Sequence, residues 1–222
     1  ASMSHAMTDL HNDTSSQPLA KAIAARLEKA IKENGKASLV VCGGSSPLDV
    51  FAELANIPIN WEAVHITLAD DRLVQASDVH SNIKLVSEHL LIGYAAAAKF
   101  SPLQKLDADA EMPFDVVLLG MGPDGHIASL FPDMLDNADA FSLRSPPQIL
   151  TTDAKGNPLL PRITMNLAML TNCQALLLLV KGAEKKALIE EARGEAVGAP
   201  QRYPVGMLLA QSKRAVQLCM LD

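Results

Sequence analysis

Asp124 and His126 stand two residues apart on the glycine-rich stretch Gly120-Met121-Gly122-Pro123-Asp124-Gly125-His126, which directly follows the apolar run Val116-Val117-Leu118-Leu119. An imidazole titrates near neutral pH, and a nearby carboxylate can steady its cationic form, so the pair suits general acid–base chemistry. The alternative is a histidine satisfied within the structure. Its place just beyond an apolar strand brings the catalytic reading level with that alternative, because α/β folds mount ligands at the carboxyl ends of strands. The spacing Gly120-x-Gly122-x-x-Gly125 also matches a dinucleotide-binding turn, but Pro123 interrupts it and no strand ends in an acid near position 145. The unit also lies mid-chain and does not open a βαβ repeat, so no nucleotide cofactor is expected.

Other segments could hold an anion. In Cys42-Gly43-Gly44-Ser45-Ser46-Pro47, an apolar strand ends in two glycines, two hydroxyls and a proline suited to a helix start. Freed backbone N–H groups, the helix dipole and serine donors could converge there on a phosphate. Ser46 could equally serve only as a helix cap. Asp70-Asp71-Arg72 follows another strand, with Ser81-Asn82 shortly after. The planar fork of Arg72 matches phosphate oxygens, and the competing reading is a structural ion pair with its neighbouring acids. Arg162, in Pro161-Arg162-Ile163-Thr164, and Lys185, in the first turn of a helix, add cations near element boundaries. A cation at a helix N-terminus opposes the dipole unless an anion offsets it, although solvation at the surface would also accommodate both residues.

Several chemistries are disfavoured. His65, His80 and His89 lack metal-ligand spacing, no Gly-x-Ser-x-Gly elbow occurs, and no Gly-Lys-Ser/Thr follows the glycines at 43–44. Cys42, Cys173 and Cys219 lie in apolar surroundings and read as core. The net charge of −6, without a Lys/Arg cluster, disfavours nucleic acid and anionic membranes as partners. No apolar run approaches the ~18 residues of a membrane span, and the opening lacks the order of a signal peptide, so a soluble, cytoplasmic protein is expected.

The elements that must position these residues follow from periodicity. Residues 1–16 are polar and aperiodic and are expected to be a flexible segment ahead of a single α/β catalytic domain over 17–222. Pro18 suits a first helical turn, and Leu19, Ile23, Leu27 and Ile31 predict a helix over about 18–34. Strands are expected at Ser38–Cys42, Val64–Ala69, Val116–Gly120, Ala175–Val180 and Ala215–Leu221, and helices at Pro47–Ala55, Asn82–Leu91 and Ala183–Arg193. Apolar strands alternating with amphipathic helices predict an α/β fold, a mainly parallel sheet with helices on both faces. Pro132 to Pro161 reads as a long excursion over the sheet edge, with a short strand near Gln148–Thr151.

In order and over nearly the whole chain, these segments resemble the 6-phosphogluconolactonase family, a relative of the sugar-phosphate isomerase/deaminase enzymes. Gly43-Gly44-Ser45-Ser46-Pro47 looks like its phosphate loop, Asp70-Asp71-Arg72 like its acid-acid-arginine loop, and Ser81-Asn82 like the pair that follows. Gly120 to Pro132 resembles its most specific signature, Pro161-Arg162-Ile163-Thr164 its PRIT segment, and Gly182-Ala183-Glu184-Lys185 its glycine-to-lysine helix start. The related deaminases typically continue Asp-Gly-His-Ile-Ala with Phe-Asn-Glu-Pro; this chain has Ser129-Leu130-Phe131-Pro132 and lacks that glutamate. The resemblance implies a Rossmann-like fold of the isomerase/deaminase type and hydrolysis of 6-phospho-D-glucono-1,5-lactone in the oxidative pentose phosphate pathway. It implies His126 as base with Asp124 beside it, and substrate contacts from Gly43, Gly44, Ser45, Ser46, Asp71, Arg72, Asn82, Arg162 and Lys185. No cofactor or metal is implied, the partner is the sugar-phosphate lactone, and a monomer or small homo-oligomer is expected. Lys155, in the region before the PRIT segment, is left without an assigned role.

Overall fold

The expected alternation of strand and helix is present in the computed structural model, which describes residues 8–11, 16–195 and 200–221. Ten strands are β1 (Thr8–His11), β2 (Ala37–Val41), β3 (Val64–Leu68), β4 (Asp70–Arg72), β5 (Lys99–Phe100), β6 (Phe114–Leu119), β7 (Ile149–Lys155), β8 (Leu160–Met165), β9 (Cys173–Lys181) and β10 (Val216–Leu221). The helices are α1 (Gln17–Asn34), α2 (Leu48–Ala55), α3 (Asn82–His89), α4 (Ala108–Glu111), α5 (Ala138–Phe141), α6 (Leu167–Leu170), α7 (Ala183–Arg193) and α8 (Pro204–Ala210). Seven strands form one sheet in the order β1-β10-β9-β6-β2-β3-β5, and every neighbouring pair is parallel.

The central strands are apolar on both sides. Along β6, Val116 and Leu118 pack with Leu19, Ile23 and Leu27 of α1 and Phe51 of α2. Val117 and Leu119 pack on the other face with Leu167 of α6, Ile189 of α7 and Leu208 of α8. Two-residue periodicity divides the strand between two cores, which is why it reads as a continuous apolar run. Helix α1 is closed by Gly35 at φ 78°, whose N–H donates to Ile31 O at 2.7 Å. That left-handed cap ends the helix where Asn34-Gly35 predicted.

β2 leads toward β3 on one side, whereas the later strand β6 pairs on its other side and leads toward β9. The order therefore reverses between β2 and β6, and a crevice opens beyond their carboxyl ends. At the β3 side the sheet is fastened by His65, which bonds Glu111 through Nδ1 at 2.8 Å and Ser101 through Nε2 at 2.7 Å. The trio has the order of a nucleophile, a base and an acid. The Ser101 N–H is engaged with Ile66 O, however, and Pro102 has no N–H, so neither residue offers an oxyanion donor beside the hydroxyl.

Three features depart from the sequence expectation. Thr8–His11 pairs with β10 as an edge strand, inside the stretch expected to be flexible; residues 1–7 and 12–15 of that stretch lie outside the described residues. The excursion after Pro132 holds the strand expected near Gln148–Thr151, which runs on to Lys155 as β7, and also α5, which was not expected. Pro161-Arg162-Ile163-Thr164, given no element from its sequence, lies on β8, which pairs with β4 and β7 in a separate antiparallel sheet. β4 continues from β3 through Ala69, whose carbonyl accepts from Met165 N at 2.9 Å, so the ribbon is anchored next to the crevice.

Leu118 is fully buried on β6, between β2 and β9. Leu118→Ala should lower unfolding stability by about 2–5 kcal/mol, through lost transfer energy and a residual cavity. Denaturant unfolding of both proteins measures this, and an unchanged midpoint would contradict the central placement of β6.

Candidate active site

The crevice beyond β2 and β6 is a cleft of about 230 Å³. Gly43, Gly44, Ser45 and Ser46 border it from the turn between β2 and α2, and Gly122 and His126 from the turn after β6. Arg72 and Arg162 enter from the antiparallel ribbon, Asn82 from the start of α3 and Lys185 from the first turn of α7. Segments separated by more than a hundred residues thus meet at the switch point, which is where a doubly wound sheet leaves space for a ligand.

The turn after β6 folds back on itself. Gly122 N donates to His126 O at 2.9 Å and Gly125 N donates to Gly122 O at 3.0 Å. The His126 ring lies directly over Gly122, where any Cβ would collide with it. His126 Nδ1 is hydrogen-bonded to Asp124 Oδ1, and the same oxygen accepts from the His126 backbone N–H at 3.1 Å. With Nδ1–H donating to the carboxylate, Nε2 is left as the acceptor nitrogen, and it has no partner among the described residues. Burial resists charge on Asp124, but the hydrogen bond and positive charge of His126 outweigh it and hold the carboxyl below its ordinary range. Phe131 stacks on the ring with centroids 4.6 Å apart, and α8 braces the turn through Val205 N, which donates to Gly125 O at 2.9 Å.

The cationic side is built on opposed strands. Arg72 and Arg162 are direct cross-strand partners. Neither forms an ion pair with a carboxylate among the described residues; each is held by carbonyls, Arg72 Nη1 by His80 O at 2.9 Å and Arg162 Nη2 by Pro158 O at 2.7 Å. Arg72 Nε is buried and without an acceptor. Arg162 is only 2% exposed. Burial pulls its guanidinium below the ordinary value and the charge of Arg72 adds to that pull, while Asp70 and Asp71 oppose it. Two like charges kept adjacent with an unused donor have the chemistry to pair with an anion.

The structural ion pair considered for Arg72 is absent, and Asp71 does not border the cleft. Asp71 Oδ1 accepts from Asn82 N at 2.7 Å and Arg72 N at 2.8 Å, fastening the start of α3 to the ribbon. Burial pushes its carboxyl up, against backbone donors at Asn82, Arg72 and Ile83 that favour its charge. Asn82 lies so close to Gly43 that a Cβ there would collide with the amide. Lys155 bonds Asp133 at 2.8 Å and is not part of the cleft.

Sequence reading passed over two cleft groups. Asp70 borders the cleft and accepts from Ser129 Oγ at 2.6 Å, a contact across 59 residues that no local spacing reveals. Cys42 also borders it, but burial, then the charge of Asp70, pushes its thiol up to about 12, so it is no nucleophile at neutral pH. No cluster of three or more His, Cys, Asp or Glu residues able to hold a metal ion occurs among the described residues.

The sequence pattern of the glucosamine-6-phosphate isomerases/6-phosphogluconolactonase family matches residues 11–217. The chain is 38% identical over 215 residues to the 6-phosphogluconolactonase of Caulobacter vibrioides, covering 90% of this chain and 89% of that protein. It is 37% identical over 215 residues to that of Pseudomonas aeruginosa, covering 86% and 85%. The crystal structure of a 6-phosphogluconolactonase from Shewanella baltica superposes with a TM-score of 0.80 at 35% identity, over 93% of each chain. The chain therefore belongs to the glucosamine-6-phosphate isomerase/6-phosphogluconolactonase family.

Proposed function

We propose that this protein hydrolyses 6-phospho-D-glucono-1,5-lactone to 6-phospho-D-gluconate, the lactonase step of the oxidative pentose phosphate pathway, with His126 as general base. The observation that carries this reading is an imidazole oriented through Nδ1, in the same cleft as two arginines, with neither Nε2 nor the arginines partnered by a side chain among the described residues. The curated relatives carry the lactonase name. The isomerase/deaminase alternative is disfavoured at Phe131, the position of the deaminase glutamate, where an apolar ring stacks on His126.

The chemistry asks little beyond placement. The phosphate sits against Arg72, Arg162 and the N-terminal turn of α2, so that the C1 carbonyl faces His126. Neutral Nε2 takes a proton from water as its oxygen bonds to C1. The tetrahedral intermediate then expels the ring oxygen, which takes that proton back from Nε2, leaving a carboxylic acid that ionises in solution. Asp124 holds the ring orientation and stabilises the transient imidazolium.

Because the product acid ionises, turnover of freshly made lactone releases one proton above the spontaneous background. Wild type should accelerate that release. His126→Ala should lower kcat by about 10²–10⁴-fold with KM little changed. A wild type that leaves the background rate unchanged overturns the lactonase reading, and a fully active His126→Ala overturns the assignment of the base.

Arg72→Ala should act on binding, raising KM and the inhibition constant of inorganic phosphate by about 10- to 100-fold, the scale of a charge-assisted hydrogen bond. Unchanged values for both would place the phosphate elsewhere. Gly122→Ala forces the His126 ring aside, so kcat should fall on the order of 10²-fold while the melting temperature stays near wild type; normal turnover would show that the glycine does not set the ring position.

A further inference from the structure

The side chains of the cleft are held in two separately built sets. His126 takes its orientation from Asp124, Gly122 and the turn after β6. Arg72 and Arg162 take theirs from carbonyls: Arg72 Nη1 donates to His80 O at 2.9 Å, and Arg162 donates through Nη2 to Pro158 O at 2.7 Å and through Nε to Leu160 O at 3.2 Å.

Phe131 touches both sets. It is 4% exposed, its ring centroid lies 4.6 Å from that of His126, and the Arg162 guanidinium carbon stands 5.4 Å from it. Gly156, at φ 74° in the turn between β7 and β8, closes on the same pair: a Cβ there would stand 2.7 Å from Arg162 Nη2 and 2.9 Å from the Phe131 ring. Lys155 beside it bonds Asp133, two residues beyond Phe131, at 2.8 Å. With close packing behind it, the Phe131 ring passes the position of the Arg162 fork to the imidazole by contact. The guanidinium also lies within about 10 Å of the imidazole across an apolar ring, a distance over which sheltered charges still interact.

Arg72 and Arg162 are like charges on facing positions, and Arg72 Nε is buried without an acceptor. An anion between them relieves their repulsion, takes the open donor and so fixes both forks. It also offsets positive charge that opposes the imidazolium His126 forms during turnover. Neither effect requires a covalent bond between the anion and the reacting sugar.

Resting on the reading of the cleft as a lactonase site, we propose a second activity: inorganic phosphate held at Arg72 and Arg162 activates hydrolysis of an unphosphorylated aldono-1,5-lactone bound beside it. The water oxygen bonds to C1 as its proton passes to His126 Nε2, the bond from C1 to the ring oxygen breaks, and the ring oxygen takes that proton back. The products are the aldonic acid and unchanged phosphate. Phe131 is the positioning residue that joins the two sets, and the phosphate is an activator as well as an anchor.

Initial rates with D-glucono-1,5-lactone over a phosphate series test this, at ionic strength held constant with chloride. The lactone remaining is trapped with hydroxylamine, and an enzyme-free blank is subtracted at every phosphate concentration. Phosphate should raise the wild-type rate about 10- to 100-fold, the scale of correcting a small misplacement of reacting groups. Its half-activating concentration should equal the constant with which it inhibits turnover of the phosphorylated lactone, since one site gives both effects. Arg72→Ala should move the two constants together, by about 10- to 100-fold. Phe131→Leu should keep the inhibition constant near wild type and lose most of the activation, a split that general damage to the structure would not give. If Phe131→Leu does not fold by circular dichroism, the paired constants in wild type and Arg72→Ala decide. Rates unchanged across the phosphate series, or activation that Arg72→Ala leaves at the wild-type concentration, would overturn the proposal, and full activation in folded Phe131→Leu would overturn the role given to Phe131. Turnover of the phosphorylated lactone alone keeps the lactonase reading and removes this second activity; phosphate-activated turnover of the plain lactone alone does the reverse.

Discussion

Adjacent guanidinium groups repel, and Arg72 and Arg162 are held side by side on neighbouring strands with no carboxylate paired to either among the described residues. Much of the architecture around the cleft can be understood as keeping that arrangement. Backbone carbonyls at His80, Leu160 and Pro158 fix the two forks, and Phe131 lies 5.4 Å beneath Arg162 as a cation–π surface. Asp70 and Asp71 supply compensating charge from the same strand, but their side-chain oxygens bond Ser129, Asn82 and the backbone of Arg72 and leave the guanidinium groups unpaired. Closing either arginine with a carboxylate would relieve the repulsion and take up the donors now left open. Leaving a buried donor unsatisfied costs stability, and such sites persist where a ligand completes them.

His126 is held by a different logic. Its orientation comes from Asp124 within the same tight turn, and its height above the backbone comes from Gly122, where no side chain intervenes. The turn is then tied outward, through Gly125 to α8 and through Ser129 to the ribbon. Between His126 and Ser129, Ala128 sits at φ 47°, a left-handed conformation that a non-glycine residue adopts at some cost. The bonds made by Ser129 on one side and by the Gly122–His126 turn on the other hold the chain in that conformation. His126 and the two arginines therefore stand on separate sheets, which meet through Ala69 between β3 and β4 and through the bonds of Ser129.

The sequence carried the parallel sheet well because its strands are long, apolar on both faces and separated by helices of clear period. The loops at the switch point were legible for a related reason: Gly43 and Gly122 mark places where a side chain passes close, and Gly43 to Ser46, Gly122 and His126 border the cleft. The antiparallel ribbon was legible only in part, as the strand near Gln148–Thr151 that becomes β7. β4 is the three charged residues Asp70-Asp71-Arg72, β8 carries Pro161, and β7 contains Thr151, Thr152 and Asp153, so none shows an apolar alternation. β1 escaped notice as four residues, Thr8–His11, held by pairing with β10 at the other end of the chain.

That failure has a physical meaning at Asp70 and Asp71. As neighbours in sequence they look interchangeable, two acids beside an arginine, and a linear reading took Asp71 as a contact and gave Asp70 no role. Strand geometry separates them, since consecutive residues on β4 point to opposite faces. Asp71 turns away from the cleft to hold the start of α3, while Asp70 faces the space that His126 and the arginines share. The position of one peptide in a three-residue strand thus decides which carboxylate supports the scaffold and which one faces the cleft.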